Sequence, residues 1–179
     1  MNKMQADQKR FLENVQSVFE ELNHQTLLSH PSDNPELDLL AIRFENIGEE
    51  KLFLDLNLNF IPLDEMSIFE LLQFFMIVSE DIPPEAATEL SLLINMLNEK
   101  IPIGAFIYQR DRALCYFKYN YIIPANFDEM PGLYLRMVNQ CCNLLVGILN
   151  NFVDGLIAVS RQEKTAIAAA RSGVMAQFF

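Results

Sequence analysis

Basic side chains, cysteine, histidine and glycine are all scarce in this sequence, and each scarcity removes a class of function. Only 13 Lys and Arg stand against 24 Asp and Glu in 179 residues, a formal net charge of −11. A nucleic-acid binder needs a basic footprint that displaces counterions from phosphates. Here the densest basic group is Lys9 with Arg10. The same sign of charge works against an electrostatic hold on anionic lipid. The expectation is no nucleic-acid partner, and an acidic surface suited to partners with basic segments.

Three cysteines, Cys115, Cys141 and Cys142, are an odd number with two adjacent, which is not a secreted disulfide framework. The two histidines, His24 and His30, lie in another region, so no zinc-ligand spacing is present. Adjacent side chains on a helix diverge by about 100°, so Cys141 and Cys142 are expected as buried, inert thiols. His24 and His30 sit beside turn residues and are expected on a surface loop. The six glycines are isolated, so there is no phosphate-cradling loop, and neither a nucleophile elbow nor a kinase signature occurs. Glu49 and Glu50 read as a solvated turn, and Asp128 and Glu129 complement a helix N-terminus; neither pair has calcium-loop spacing. No catalytic residue, metal or cofactor is expected, and the chain reads as a non-enzyme.

Residues 1–13 are polar and charged without an apolar signal segment, which points to the cytoplasm. The nearest approach to a membrane span is 141–159. Asn143, Asn150, Asn151 and Asp154 make it too polar for a spanning helix of about 20 residues. No membrane insertion is expected.

What the sequence does contain is 51% apolar residues, enough for a core. One α+β domain is expected over 1–162, followed at 163–179 by an Ala-rich helical extension or frayed tail. Residues 2–23 read as an amphipathic helix, with Phe11, Val15, Val18, Phe19 and Leu22 at helical spacing. Turn chemistry follows over 24–36, through Pro31, Ser32, Asp33, Asn34 and Pro35. A strand is expected over 37–44. The next is the clearest local signal: Leu52, Leu54, Leu56, Leu58 and Phe60 alternate with Lys51, Phe53, Asp55, Asn57 and Asn59.

Residues 64–80 satisfy two patterns. Ile68, Leu71, Leu72, Phe75 and Met76 make a helical face, and Ser67 with Glu70 fits a capping box. Against this, residues 73–78 are a compact run of strand formers bounded by Pro83 and Pro84. Local pattern slightly favours helix. Pro84 then opens a helix over 85–100, with Leu90, Leu93, Ile94 and Leu97 on one face. Pro102 and Gly104 stop it, and 105–110 with 113–123 form a hairpin in which Cys115, Phe117, Tyr119, Tyr121 and Ile123 share a face. A long helix over about 128–162 follows, apolar nearly all round at 144–149 and so expected to be covered on more than one side. The eight methionines, Met66, Met76, Met96, Met130 and Met137 among them, suit core filling or an adaptable binding surface.

Several stretches carry a family resemblance: Leu71, Leu72, Gln73, Phe74 and Phe75; Ile82, Pro83 and Pro84 opening a helix; then Leu93, Ile94, Asn95, Met96, Leu97 and Asn98. Ile101, Pro102, Ile103 and Gly104 follow, before the hairpin and the closing helix. Between residues 52 and 159 the chain resembles the YbjN-like bacterial family of sensory transduction regulators, whose fold is that of type III secretion chaperones. The resemblance implies that 71–78 is a third strand. It further implies an antiparallel sheet of about five strands flanked by helices, in the order α-β-β-β-α-β-β-α, and a homodimer. Secretion chaperones of this fold bind unfolded segments of partner proteins; the extension after Gln162 departs from the pattern.

The expected function is therefore a protein-binding module, chaperone-like or regulatory, docking a partner segment. Its candidate contacts are Phe53, Asp55, Asn57 and Asn59 on the polar side of their strand, with Tyr116 and Lys118. The alternative is a small-ligand sensor with a pocket of ~300–1,000 Å³ between the sheet and the long helix.

Overall fold

The structure, a computed structural model, describes residues 3–29, 38–63 and 68–178. The turn expected at 31–35, His30, Met66 and the Ser67 half of the capping box lie outside these residues. The elements are α1 (Lys3–Glu21), β1 (Thr26–Ser29), β2 (Leu39–Ile47), β3 (Leu52–Ile61), β4 (Phe69–Ser79), α2 (Ala87–Asn98), β5 (Ala105–Gln109), β6 (Leu114–Pro124), α3 (Pro131–Ser160) and α4 (Ala166–Ala170). The strands form one six-stranded antiparallel sheet in the order β1-β2-β3-β4-β6-β5. The α+β class is as expected, with one strand more than the five anticipated.

The extra strand is β1. It lies inside the segment read as a turn and pairs with β2 from Thr26 opposite Ile42 to Ser29 opposite Leu39. Four residues are too few to show a period, so only the partner strand makes it visible.

The local helix reading of 64–80 is overturned, because 69–79 is strand β4. Glu70, Leu72, Phe74, Met76 and Val78 are buried, while Leu71, Gln73, Phe75 and Ile77 are half-buried. Apolar residues stand on both faces, so period two is hidden and the same residues mimic a helical stripe. Flanking strands β3 and β6 supply the pairing that decides the outcome.

Contacts gather the chain into two compact units, one of Met1–Phe44, Asp55–Phe75 and Asn120–Leu144, the other of Glu45–Leu54, Met76–Tyr119 and Leu145–Phe179. In the first, α1 buries Phe11, Leu12, Val15 and Phe19. Phe11 meets Phe60 and Phe127 edge-on at 6.0 and 5.2 Å, and Phe19 meets Phe44 at 6.0 Å. Each ring contributes about 2 kcal/mol by leaving water, and such pairs add about 1 kcal/mol. Leu22, expected on this face, is exposed. Helix α1 ends at Glu21, and Asn23 turns left-handed with φ 65°.

In the second unit α2 buries Leu90, Leu93, Ile94 and Leu97, as its spacing predicts. Phe106 packs between Phe117 at 5.0 Å and Phe152 at 6.4 Å. The Asn98 carboxamide closes the outer side of β5: its Nδ2 donates to the Phe106 carbonyl at 3.0 Å, and its Oδ1 accepts from the Phe106 N–H at 2.9 Å. In effect a side chain stands in for a neighbouring strand. Gly104, with φ 72°, lets the chain pass the Phe117 ring and the Lys118 carbonyl where a Cβ would collide with both.

Helix α3 begins at Pro131, after a 3-10 turn at Phe127–Glu129, and stops at Ser160. Its 144–149 stretch, expected to be covered on more than one side, is covered on one: Leu145, Ile148 and Leu149 are buried, while Leu144 is 47% exposed and Gly147 faces open space. All-round burial comes later, over 155–160. The reason is the chain beyond it. Gln162 reverses direction with φ 62°, and α4 lays Ala166, Ala169 and Ala170 inward, with Met175 closing on Gly155. Two caps fix that return: Thr165 Oγ1 accepts from the Ala168 N–H at 3.2 Å, and Glu89 Oε2 from the Ala166 N–H at 2.7 Å. Among the described residues α3 is the one helix long and apolar enough to cross a membrane, and most of its apolar stretch is buried against the protein itself.

Candidate binding surfaces

In each unit the strands alternate buried and half-exposed positions, and the aromatic packing of the helices falls on the buried side. Among the described residues the other side is bare of helices. In the first unit that bare face carries polar side chains tied to one another. Arg43 reaches across from β2 to Asp55 on β3 with two hydrogen bonds of 2.8 Å. Asn57 Nδ2 donates to the Asp55 carbonyl at 3.1 Å and to the Phe75 carbonyl at 3.4 Å. Gln73 Nε2 donates to Asn120 Oδ1 at 3.3 Å. Around them stand apolar side chains, with Leu27, Phe69 and Ile122 exposed and Leu71 and Ile61 half-buried.

Of the residues singled out in the sequence, the first unit brings together Asp55, Asn57 and Asn59. Asn59 turns its amide to the adjacent Phe60 carbonyl at 3.4 Å. The hydrogen bond from Arg43 holds the Asp55 carboxyl below its ordinary value, partial burial opposing and the guanidinium charge assisting. Phe53, Tyr116 and Lys118 fall in the second unit. Tyr116 and Lys118 are half-buried on β6 opposite Ile107 and Ala105, and Phe53 stands 65% exposed at the start of β3.

Phe53 also lines a cleft of about 390 Å³ where β3 begins and β4 and α3 end. Leu52, Val78, Ile82 and Ile157 are among its apolar walls, and Glu80 and Asp81 stand at its edge. On its floor the Ser79 and Ser160 hydroxyls are 3.0 Å apart. Ser160 is 2% exposed and donates to the Ile157 carbonyl at 2.8 Å. Arg161 at the opposite edge pairs with Glu50 at 3.4 Å.

The sequence reading missed Arg43, Ser79, Ser160, Glu80 and Asp81. Only strand register places Arg43 beside Asp55, and only the end of α3 places Ser160 beside Ser79. Their composition carries no mark of either meeting.

The remaining ionisable groups are more ordinary. Glu70 is 3% exposed on the buried side of β4, where burial raises its pKa against the lowering effect of the 2.8 Å bond from Gln8 Nε2. Burial pushes the Cys115 thiol up to about 12 and raises Cys142 as well, so both are inert. Cys141, expected to be buried, is only half-buried, because it points about 100° round α3 from the buried Cys142. His24 is half-buried against Phe19 and Phe44, with Nδ1 3.2 Å from the Arg43 carbonyl. No group of three His, Cys, Asp or Glu suited to holding a metal ion is found among the described residues. No protein-family model matches the chain, and no curated protein matches its sequence.

Proposed function

We propose that the chain is a non-enzymatic, cytoplasmic protein-binding module, chaperone-like or regulatory, that docks a segment of a partner protein on the bare side of its sheet. The observation that carries this reading is the first unit's helix-free face, where self-satisfied polar side chains sit among exposed Leu27, Phe69 and Ile122. Apolar side chains that no helix covers are what a docking surface retains. The YbjN-like resemblance and the secretion-chaperone fold it implies point the same way.

Homodimerisation belongs to this proposal. Leu133, Met137 and Leu144 leave an exposed apolar stripe along the first half of α3, at spacings that share one helical face. Light scattering at micromolar concentration should return twice the chain mass of 20.6 kDa; a mass of one chain contradicts the dimer.

The docking test is capture of the tagged protein from its native cells, wild type beside Leu71→Glu. A stoichiometric partner retained by wild type and lost by a folded Leu71→Glu variant supports the reading. Recovery of the protein alone, or equal retention by both, refutes it. The alternative, a small-ligand sensor, draws on the 390 Å³ cleft, whose volume lies within the range of ligand pockets. Its open rim favours an occupant that belongs to a larger partner.

A further inference from the structure

We infer that the cleft between the start of β3 and the ends of β4 and α3 receives an arginine or lysine of a partner-protein segment, flanked there by apolar residues. The inference rests on the protein-binding reading and names what that segment must contain.

The first argument is hydrogen-bond bookkeeping on the cleft floor. The Ser160 hydroxyl lies 2.8 Å from the Ile157 carbonyl and 3.0 Å from the Ser79 hydroxyl. Whichever serine donates between them, both oxygens keep a lone pair that an incoming N–H can meet.

The second argument is charge. Glu80 and Asp81 edge the cleft and have no ion pair or side-chain bond among the described residues. The one cation lining it, Arg161, is already matched by Glu50. The rim is therefore acidic by two charges, on a chain whose net charge is −11. A second copy of the same acidic chain is a poor occupant, and a basic partner segment is a complementary one.

The third is shape and polarity. Ile82, Pro83 and Ile157 give an apolar wall against which a long aliphatic stem packs while its charged head reaches the rim. Phe53, 65% exposed, presents an aromatic ring at that rim, and a guanidinium or ammonium is drawn to such a face. Acceptor, carboxylates, aliphatic wall and ring are together the recognition set for a basic side chain.

The probe is the peptide acetyl-Leu-Arg-Leu-Arg-Leu-amide, with acetyl-Leu-Gln-Leu-Gln-Leu-amide as the neutral control. Each is titrated into the full chain while backbone amide shifts are followed by NMR. The arginine peptide should shift the amides of Phe53, Glu80, Asp81 and Ile82 saturably. Its affinity should fall about fivefold for the control, for Glu80→Gln/Asp81→Asn, and in high salt. Equal affinity for the two peptides, or no loss in the double variant, overturns the inference. Shifts confined to Leu71, Phe75 and Ile122 overturn it while leaving the sheet-face reading standing. If neither peptide shifts any amide and Leu71→Glu leaves partner capture unchanged, both readings fall. Wild-type amide dispersion in the double variant establishes that it is folded.

Discussion

Replacing Asn98 tests how the outer side of β5 is closed. Its carboxamide makes two bonds to one residue, donating to the Phe106 carbonyl and accepting from the Phe106 N–H. Each contributes about 1 kcal/mol net, and a buried backbone group left unsatisfied costs about 1–3 kcal/mol. Phe106 is fully buried, so water reaches the vacated groups poorly. Asn98→Ala should therefore lose about 3 kcal/mol of unfolding free energy. Asn98→Asp is the sharper probe because it preserves shape. Its carboxylate still accepts from the Phe106 N–H, but it sets an oxygen against the Phe106 carbonyl where an N–H stood. Protonation restores a donor, so the Asp variant should approach wild type in acid and fall behind it at neutral pH. The assay is urea unfolding followed by circular dichroism at both pH values. An Asn98→Ala loss under about 0.5 kcal/mol, within the range of ordinary surface substitutions, refutes the reasoning. So does an Asp variant whose deficit ignores pH.

Burial raises the Glu70 pKa, so ionising it costs stability as pH rises through that raised value, and the cost is absent below the ordinary carboxyl range. Glu70→Gln should accordingly be more stable than wild type at pH 7.5 and lose that advantage at pH 4, in paired denaturation curves; the same difference at both pH values counts against it. The Asp55 pKa is lowered chiefly by Arg43, so that pair stabilises above the ordinary carboxyl range and fades as pH falls through the depressed value. Being half-exposed, it should cost only about 0.5–1 kcal/mol on Arg43→Leu. Gly104→Ala should cost about 3 kcal/mol by melting temperature or denaturant midpoint, since φ 72° is strained for alanine and the Phe117 ring must also yield. A chromogenic disulfide reagent should titrate one thiol, Cys141, in the native chain and all three after unfolding; fast reaction of Cys115 or Cys142 would show their surroundings to be open.

Elements with one apolar and one polar face were legible without coordinates. Strand β3, helix α2 and the β5–β6 hairpin follow from period alone, and the same alternation puts Asp55, Asn57 and Asn59 on the polar side of β3. Strand β4 was not legible locally, because Leu71, Phe75 and Ile77 line its bare side and erase the contrast on which period depends. The apolar face that hid the strand is also the face that marks a binding surface. The cleft was illegible for a different reason: Ser79 and Ser160 are 81 positions apart, and nothing in either neighbourhood announces their hydroxyl contact. Coverage of the end of α3 is hidden in the sequence because small residues supply it, Ala166, Ala169 and Ala170, whose composition resembles that of a loose tail.

The interleaving of the two compact units dictates an order of events during synthesis. Each is assembled from three separate stretches of chain, so neither can be excised as a continuous fragment. The first is whole once Leu144 has emerged from the ribosome, while the second waits for residues beyond α3 to close over Gly155. A nascent chain exposed only as far as Leu144 would thus hold every stretch of the first unit while strands of the second still lack their cover, the state in which unpaired edges and bare apolar faces are most exposed to misassembly.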